Sequence, residues 1–383
     1  MGKKIGFVLV CLIVFGIVLW RCNDFEKEPL ISNQGQSYEK AEVVAITKDN
    51  LEEDGLRYGN QEVIVEIKSG ALKGQEVEAT SPNGTLFGVA CTLGMKVIVI
   101  VSSTENTNVV TVYSKDRSVC IYVFLACFIG IVCLVGGKKG VKAVVSLIFT
   151  LICIGYLMFP LLYQGKSPIW VSIWVCVAAT MVTLYLLGGF SKKTGAALIG
   201  TSLGVIIAAV TAVLFGKAAG INGYNVAEIE TLNYVGQYCA LPIGELLFAG
   251  IIISSLGAVM DVGMSIASAI QEIHEANPSL GSGKLFQAGI RVGRDMMGTM
   301  TNTLILAYVG GSLTTLMIHY AYQLPYNQLL NSYNIGIEIM QGVAGSMGVV
   351  LTVPVTAFIS AWMMSKKEAE EEEEEEWMKE YDW

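Results

Sequence analysis

Between residues 119 and 364 the chain consists largely of long runs almost free of charge. They lie near residues 119–136, 141–163, 168–188, 195–215, 241–261, 303–323 and 343–364, with short polar stretches between them. A run of about 18 or more apolar residues can cross the hydrocarbon core as a helix. Composition agrees: 53% of the 383 residues are hydrophobic and 15% charged, against about 25% charged in soluble domains. Lys3 and Lys4 precede one further run, Ile5–Trp20. It ends in Trp20-Arg21 without a small-x-small cleavage site and reads as an uncleaved anchor rather than a signal peptide. The expected fold is a polytopic α-helical membrane protein of about eight spans.

Positive charge fixes a direction for those spans. Lys138, Lys139 and Lys142 fall on one side, as do Lys192 and Lys193, then Lys284, Arg291 and Arg294, then Lys366 and Lys367. The opposite short loops hold only Lys166 and Lys217. Cytoplasmic loops carry the excess of Lys and Arg. The chain is therefore expected in the cell membrane as a multi-pass protein, with both termini cytoplasmic and residues 22–117 extracytoplasmic. Four parts follow: an anchor over 1–21, a β-domain over 38–115, a seven-span domain over 119–364, and an acidic cytoplasmic tail over 365–383.

Residues 38–115 change character. Glu42–Ile46, Glu62–Ile67, Glu76–Ala79, Lys96–Val101 and Val109–Tyr113 are short and β-branched, and several alternate apolar with polar residues. Asp54-Gly55, Gly59-Asn60, Lys73-Gly74 and Asn83-Gly84 supply turns. Five short strands in so short a segment imply a small closed barrel, OB-like or SH3-like. Its extracytoplasmic side and its lack of a dense basic-aromatic groove argue against nucleic acid as a partner. The net charge of −8 gives no nucleic-acid signal either, since Glu370–Glu376 nearly accounts for it. That tail is expected to be disordered, because blocks of like charge repel.

Six of the nine cysteines, Cys11, Cys120, Cys127, Cys133, Cys153 and Cys176, fall inside expected spans and act as small apolar residues. Cys22 and Cys91 leave one disulfide open. Ala196, Gly200, Gly204, Ala208 and Ala212 recur every four residues, and Gly342, Gly345 and Gly348 recur near the last span. Both patterns read as close helix packing, which small residues permit in lipid. Pro160, Pro242 and Pro354 can bend spans and free carbonyls. Residues 216–240, with Glu228, Glu230 and Tyr234 among apolar neighbours, suit a helix lying on the outer surface.

The polar residues near two spans carry the functional reading. Ser254, Asp261, Ser265, Ser268, Glu272 and Glu275 share one helical face at about 100° per residue. Asn277-Pro278 should end that helix. Arg291, Asp295, Gly298 and Asn302 form a second stripe. Arg291 and Asp295 can pair at i,i+4, and an antiparallel contact could bring Asp261 or Glu272 near Arg291 or Arg294. Ionisable groups at membrane boundaries are functional candidates by default, with Glu245 near an outer span end as an entrance group. The plainer alternative makes the basic residues topology signals and Glu272 and Glu275 solvated groups. A metal role for His274 with Glu272 and Glu275 is the weakest reading, and no metal or cofactor is expected. Zincin, nucleophile-elbow and phosphate-loop patterns are all incomplete here.

Met260–Ile273 and the stretch from Arg294 to Gly310, with Ile67-Lys-Ser-Gly-Ala-Leu-Lys-Gly74 and the glycine-rich final span, resemble the YibE/F-like family of bacterial multispanning membrane proteins. The resemblance covers nearly the whole chain. It implies location and architecture, and it supplies no mechanism; the Glu-rich tail departs from it. The first functional reading is a solute or ion permease component whose pathway uses Asp261, Glu272, Arg294, Asp295 and Asn302. The second is a non-transporting assembly or sensing protein that binds partners through the β-domain. An intramembrane enzyme comes third. The expected partners are the lipid bilayer and a homo- or hetero-oligomer with a related membrane protein.

Overall fold

The computed structural model describes the chain except Met1, Glu26, Glu28, Pro29 and residues 31–34, 53–55, 83–86, 105–106 and 381–383. Side chains of residues 1–12, 104–107 and 366–383 are also outside the description. The Asp54-Gly55 and Asn83-Gly84 turns therefore lie outside the described residues. The chain divides into two compact units, Pro29–Leu134 and the remainder.

The smaller unit is a closed five-stranded barrel. Its strands are β1 (Gln36–Lys48), β2 (Gln61–Ile67), β3 (Glu76–Ser81), β4 (Lys96–Thr104) and β5 (Thr107–Lys115), in the order β1-β2-β3-β5-β4. β1 closes the barrel because it is long enough for two partners. Its first half pairs with β4 and its second half with β2, with a register shift between Val43 and Ala45. The pairing of β3 with β5 is parallel. Inward positions of alternating strands fill the core: Val43, Val63, Val65, Ile67, Val97, Val99 and Val112 are essentially inaccessible. Gln61 is buried among them and is satisfied by the loop before β4. Its amide donates to the Cys91 carbonyl (3.1 Å) and its carbonyl accepts from the Cys91 N–H (2.7 Å). Lys73-Gly74 forms the expected turn, with Gly74 at φ +84°.

The larger unit is helical. α1 is Gly2–Asn23 and α2 is Ser118–Ile152, which straddles the boundary between the units; a π-turn (Cys153–Met158) and α3 (Phe159–Tyr163) follow. Then come α4 (Pro168–Gly188), α5 (Lys192–Ala219), α6 (Ile229–Tyr238), α7 (Ile243–Ala276), α8 (Ser282–Gly311), α9 (Leu313–Ala321), α10 (Tyr326–Leu330) and α11 (Tyr333–Glu380). α7 ends before Asn277-Pro278, as expected. α6 is the helix anticipated within residues 216–240 and buries nothing. Among the described residues, five helical stretches are long and apolar enough to cross a membrane: Ser118–Tyr163, Pro168–Gly188, Lys192–Ala219, Ile243–Ala276 and Tyr333–Ser365.

Two expectations change, and the disulfide left open does not form. The run 303–323 is not one straight helix: α8 stops at Gly311, and α9 leaves at 62° after Gly310-Gly311-Ser312. Glycine weakens helix continuity there, which hydropathy does not register. Cys22 and Cys91 are free thiols, and Cys91 lies in the barrel core. The backbone of α11 runs helical through the glutamates to Glu380, where disorder was expected; glutamate is itself a good helix former.

The two glycine-rich patterns do what close packing requires. Ala196, Gly200, Gly204, Ala208 and Ala212 are all buried. A Cβ on Gly200 would collide with the Thr356 hydroxyl, and one on Gly204 with that of Thr352. Gly348 faces Ala208 in return, and Gly345 faces Leu304 of α8. Pro160 has no N–H to offer the carbonyl of Tyr156, four residues back. The Asn23 side chain donates to that carbonyl instead (2.7 Å), which ties α1 to the π-turn.

Candidate functional site

α7 and α8 are antiparallel neighbours. Ser254 Oγ and Tyr308 Oη lie 2.7 Å apart near one end, and Gly289 packs against Ile270 near the other. Each helix owes its inward face to small or branched residues. α7 buries Ile252, Val259, Gly263, Ile266 and Ile270. α8 buries Leu285, Gly289, Gly293 and Leu304. At about 100° per residue, the remaining arc of each helix carries the polar groups.

Asp261, Glu272 and Glu275 on α7 are exposed, while Ser265, Ser268 and His274 are half-buried. On α8, Arg291, Arg294, Asp295, Gly298 and Asn302 are all exposed. The stripes read from the sequence thus exist as stripes. They are not joined into ion pairs: every ion pair given for the described residues lies in the barrel, and none links Arg291, Arg294, Asp295, Asp261 or Glu272. α8 offers glycines to the bundle and turns its charges outward. Thr299 and Thr303 return their hydroxyls to the carbonyls of Met296 and Thr299.

Glu245 occupies a different place. It is half-buried at the start of α7 and accepts a hydrogen bond from Ser167, the N-cap of α4. A carboxylate at a helix N-terminus is favourable, so this contact gives Glu245 a local structural task.

Four features had little or no signal in the sequence. Stepping equally along the two antiparallel helices from Ser254–Tyr308 sets Asp261 level with Thr301, whose hydroxyl is buried without a partner. Gly257, one turn before Asp261, and Met260, next to it, line a cavity of about 260 Å³ that also receives Ser146, Thr150 and Thr183. Inside the bundle, the hydroxyls of Thr201, Thr356 and Ser360 are buried without partners, and Gly263 faces Thr201 across the α5–α7 contact. At the far end of α7, Lys192, Lys193, Gln271, His274 and Glu275 line a cavity of about 390 Å³. There the Gln271 amide donates to Glu275, while Gln271 Oε1 and His274 Nδ1 are buried without partners. No group of three or more His, Cys, Asp or Glu among the described residues has a metal-holding arrangement.

Residues 124–366 match the YibE/F-like protein family. The chain belongs to the YibE/F-like family. The match covers both polar stripes and the glycine-rich packing helices and leaves the barrel outside it, so the family defines the helical unit. The family and the apolar helices together indicate a membrane protein. No curated protein and no solved structure matches the chain.

Proposed function

We propose that the chain is a membrane permease component whose polar pathway follows α7 and α8. One observation carries this reading: two neighbouring helices of an otherwise apolar bundle both turn ionisable residues outward, Asp261 on one and Arg291, Arg294 and Asp295 on the other. Charges at membrane depth cost several kcal/mol and almost always face a bundle interior or a water-filled cavity, so charges on this outward arc call for a polar route or a partner on that side. Asp261 has the position for an ion or proton site. It stands one turn from a cavity that holds three hydroxyls and level with the free hydroxyl of Thr301. Arg294 and Asp295 would meet the solute at the basic end, and Asn302 stands beside Thr301 at the level of Asp261. Glu272 continues the α7 stripe toward the same end, and Glu245 guards the opposite end.

In this reading the chain crosses about eight times. The Ser118–Tyr163 stretch is 46 residues long and breaks helical geometry at Gly137, φ +51°. At about 1.5 Å per residue it far exceeds one bilayer crossing of about 30 Å, which favours two. Its Gly136-Gly-Lys-Lys-Gly140 break would face the cytoplasm with both termini, and residues 22–117 would stand outside. The barrel's strand order and parallel β3–β5 pair favour OB-like over SH3-like architecture.

The test is flux into proteoliposomes that hold a pH-sensitive dye, under imposed potassium potentials, with sodium, chloride and inorganic phosphate as probe solutes. The expected result is flux above that of empty vesicles, lost in Asp261→Asn. Absence of flux for every probe, together with unchanged behaviour of cells carrying Asp261→Asn and Asp295→Asn, would overturn the reading.

The assembly reading keeps one observation of its own. Tyr38 and Phe87 both pack on Tyr113 of the barrel, with ring centroids 5.4 and 5.5 Å away, while Tyr38 and Phe87 stay about half exposed. Aromatic clusters of this kind anchor protein partners. Loss of a pulled-down partner in Phe87→Ala, with flux absent throughout, would favour it.

A further inference from the structure

The outward face of α8 is self-complementary. Gln287, Arg291, Arg294, Asp295, Gly298 and Asn302 are exposed on the side opposite Gly289, Gly293 and Leu304. Beyond Leu304 the exposed residues become Ile305, Leu306 and Val309, which suit lipid. The polar part does not. Arginines near the inner boundary can be topology signals that reach headgroups, but Asp295 contributes little to such a signal, and none of the ion pairs of the described residues involves it. The Asn302 side chain likewise makes no hydrogen bond to any described residue. A Cβ on Gly298, at the centre of the face, would meet nothing within 4 Å. Among the described residues, nothing therefore covers this face.

We infer that a second copy of this chain covers it. Two copies in the same membrane orientation would pack α8 against α8 about a two-fold axis near Gly298. A two-fold interface uses the same patch on both subunits, so it must carry both charge signs, and this one does. Arg291 or Arg294 of each copy would reach Asp295 of the other. The two Asn302 amides would bond to each other, and Gly298 would let the backbones approach closely. The inference rests on the reading that α8 crosses the membrane and deepens the proposed pathway, which would then lie between two copies.

The experiment uses the full chain in native membranes. Asn302→Cys, on treatment with copper-phenanthroline, is expected to give a cross-linked dimer that neither the parent nor Val210→Cys, an exposed position on α5, produces. Two differently tagged copies should co-purify. Arg294→Asp should abolish both signals, and the reversal Arg294→Asp with Asp295→Arg should restore them. Should the charge variants fail to accumulate, the Asn302→Cys cross-link decides alone, because that change leaves every charge in place. A monomer in both assays, a dimer cross-linked at Val210→Cys but not at Asn302→Cys, or capture of a different membrane protein at Asn302→Cys would each overturn the inference. Flux from a proven monomer would sink it while leaving the permease reading intact; a dimer without flux would do the reverse.

Discussion

Ser254 of α7 and Tyr308 of α8 share a hydrogen bond with oxygens 2.7 Å apart, directly above the level at which the two helices turn their charged residues outward. Ser254 also lies 3.1 Å from the Ile251 carbonyl of its own helix. The contact therefore fixes the α7–α8 register without leaving Ser254 dependent on it. Tyr308→Phe should retain the ring packing and lose this bond, lowering stability by about 0.6 kcal/mol, the average for such bonds between membrane helices. Thermal unfolding in detergent would measure it. No change in melting temperature would mean that the register rests on Gly289 and Gly345 alone.

The α5–α11 contact should be far less tolerant. Gly204 touches Val259 of α7 and Thr352 of α11 where its Cβ would stand. Gly204→Ala should destabilise by about 1–3 kcal/mol, the usual range for overpacking. Adding Thr352→Ala should recover part of that loss, because it removes the hydroxyl in the way. Recovery absent from the double variant would place the strain at Val259 instead.

The barrel should weaken in acid. Hydrogen bonds from the Ser118 hydroxyl and N–H, and then the charge of Lys40, hold the Asp116 carboxyl below its ordinary range. Arg57 does the same for Asp49, with its side-chain hydrogen bond as the larger cause. A carboxyl depressed in the folded state contributes its stability above the unfolded value, about 3.9. That contribution is lost as pH falls through the lower folded value. Unfolding followed from pH 6 downward should show falling stability below about pH 4. Asp116→Asn should flatten the profile; an unchanged slope would remove Asp116 as a cause.

What could be read from the sequence depended on whether the signal was local. Five β-branched stretches were visible because each is short, rich in β-branched residues and bounded by turns, and several alternate apolar with polar residues. β1 was seen only as 42–46, because Gln36–Lys40 shows polar residues on both faces and becomes a strand only by pairing with β4. The polar stripes and the small-residue stripe were visible because helical spacing is a property of one helix. Whether the stripes meet was not, since it depends on which arc of α8 the bundle takes. The bundle takes Gly289 and Gly293, which leaves Arg291 and Asp295 outside. The bend at Ser312, the Ser254–Tyr308 bond and the unpartnered Thr201 and Thr356 hydroxyls belong to relations between elements, on which hydropathy is silent.

Orientation can be tested by thiol labelling in intact cells. Asn60 is exposed on the barrel and Ser282 is exposed at the start of α8. Asn60→Cys should react with a membrane-impermeant maleimide from outside, and Ser282→Cys only after permeabilisation. Cys91 provides an internal control on the barrel unit. Burial in the barrel core pushes its thiol above the ordinary cysteine range. Thiolate is the reactive form, so Cys91 should stay unlabelled until the barrel unfolds. The same shift adds alkaline sensitivity: the buried thiol favours folding below the unfolded cysteine value, and that advantage fades as pH rises toward the higher folded value. Labelling of Ser282→Cys from outside with Asn60→Cys protected would invert the topology. It would also move Arg291, Arg294 and Asp295 to the outer face and detach the basic end of the proposed pathway from the cytoplasm.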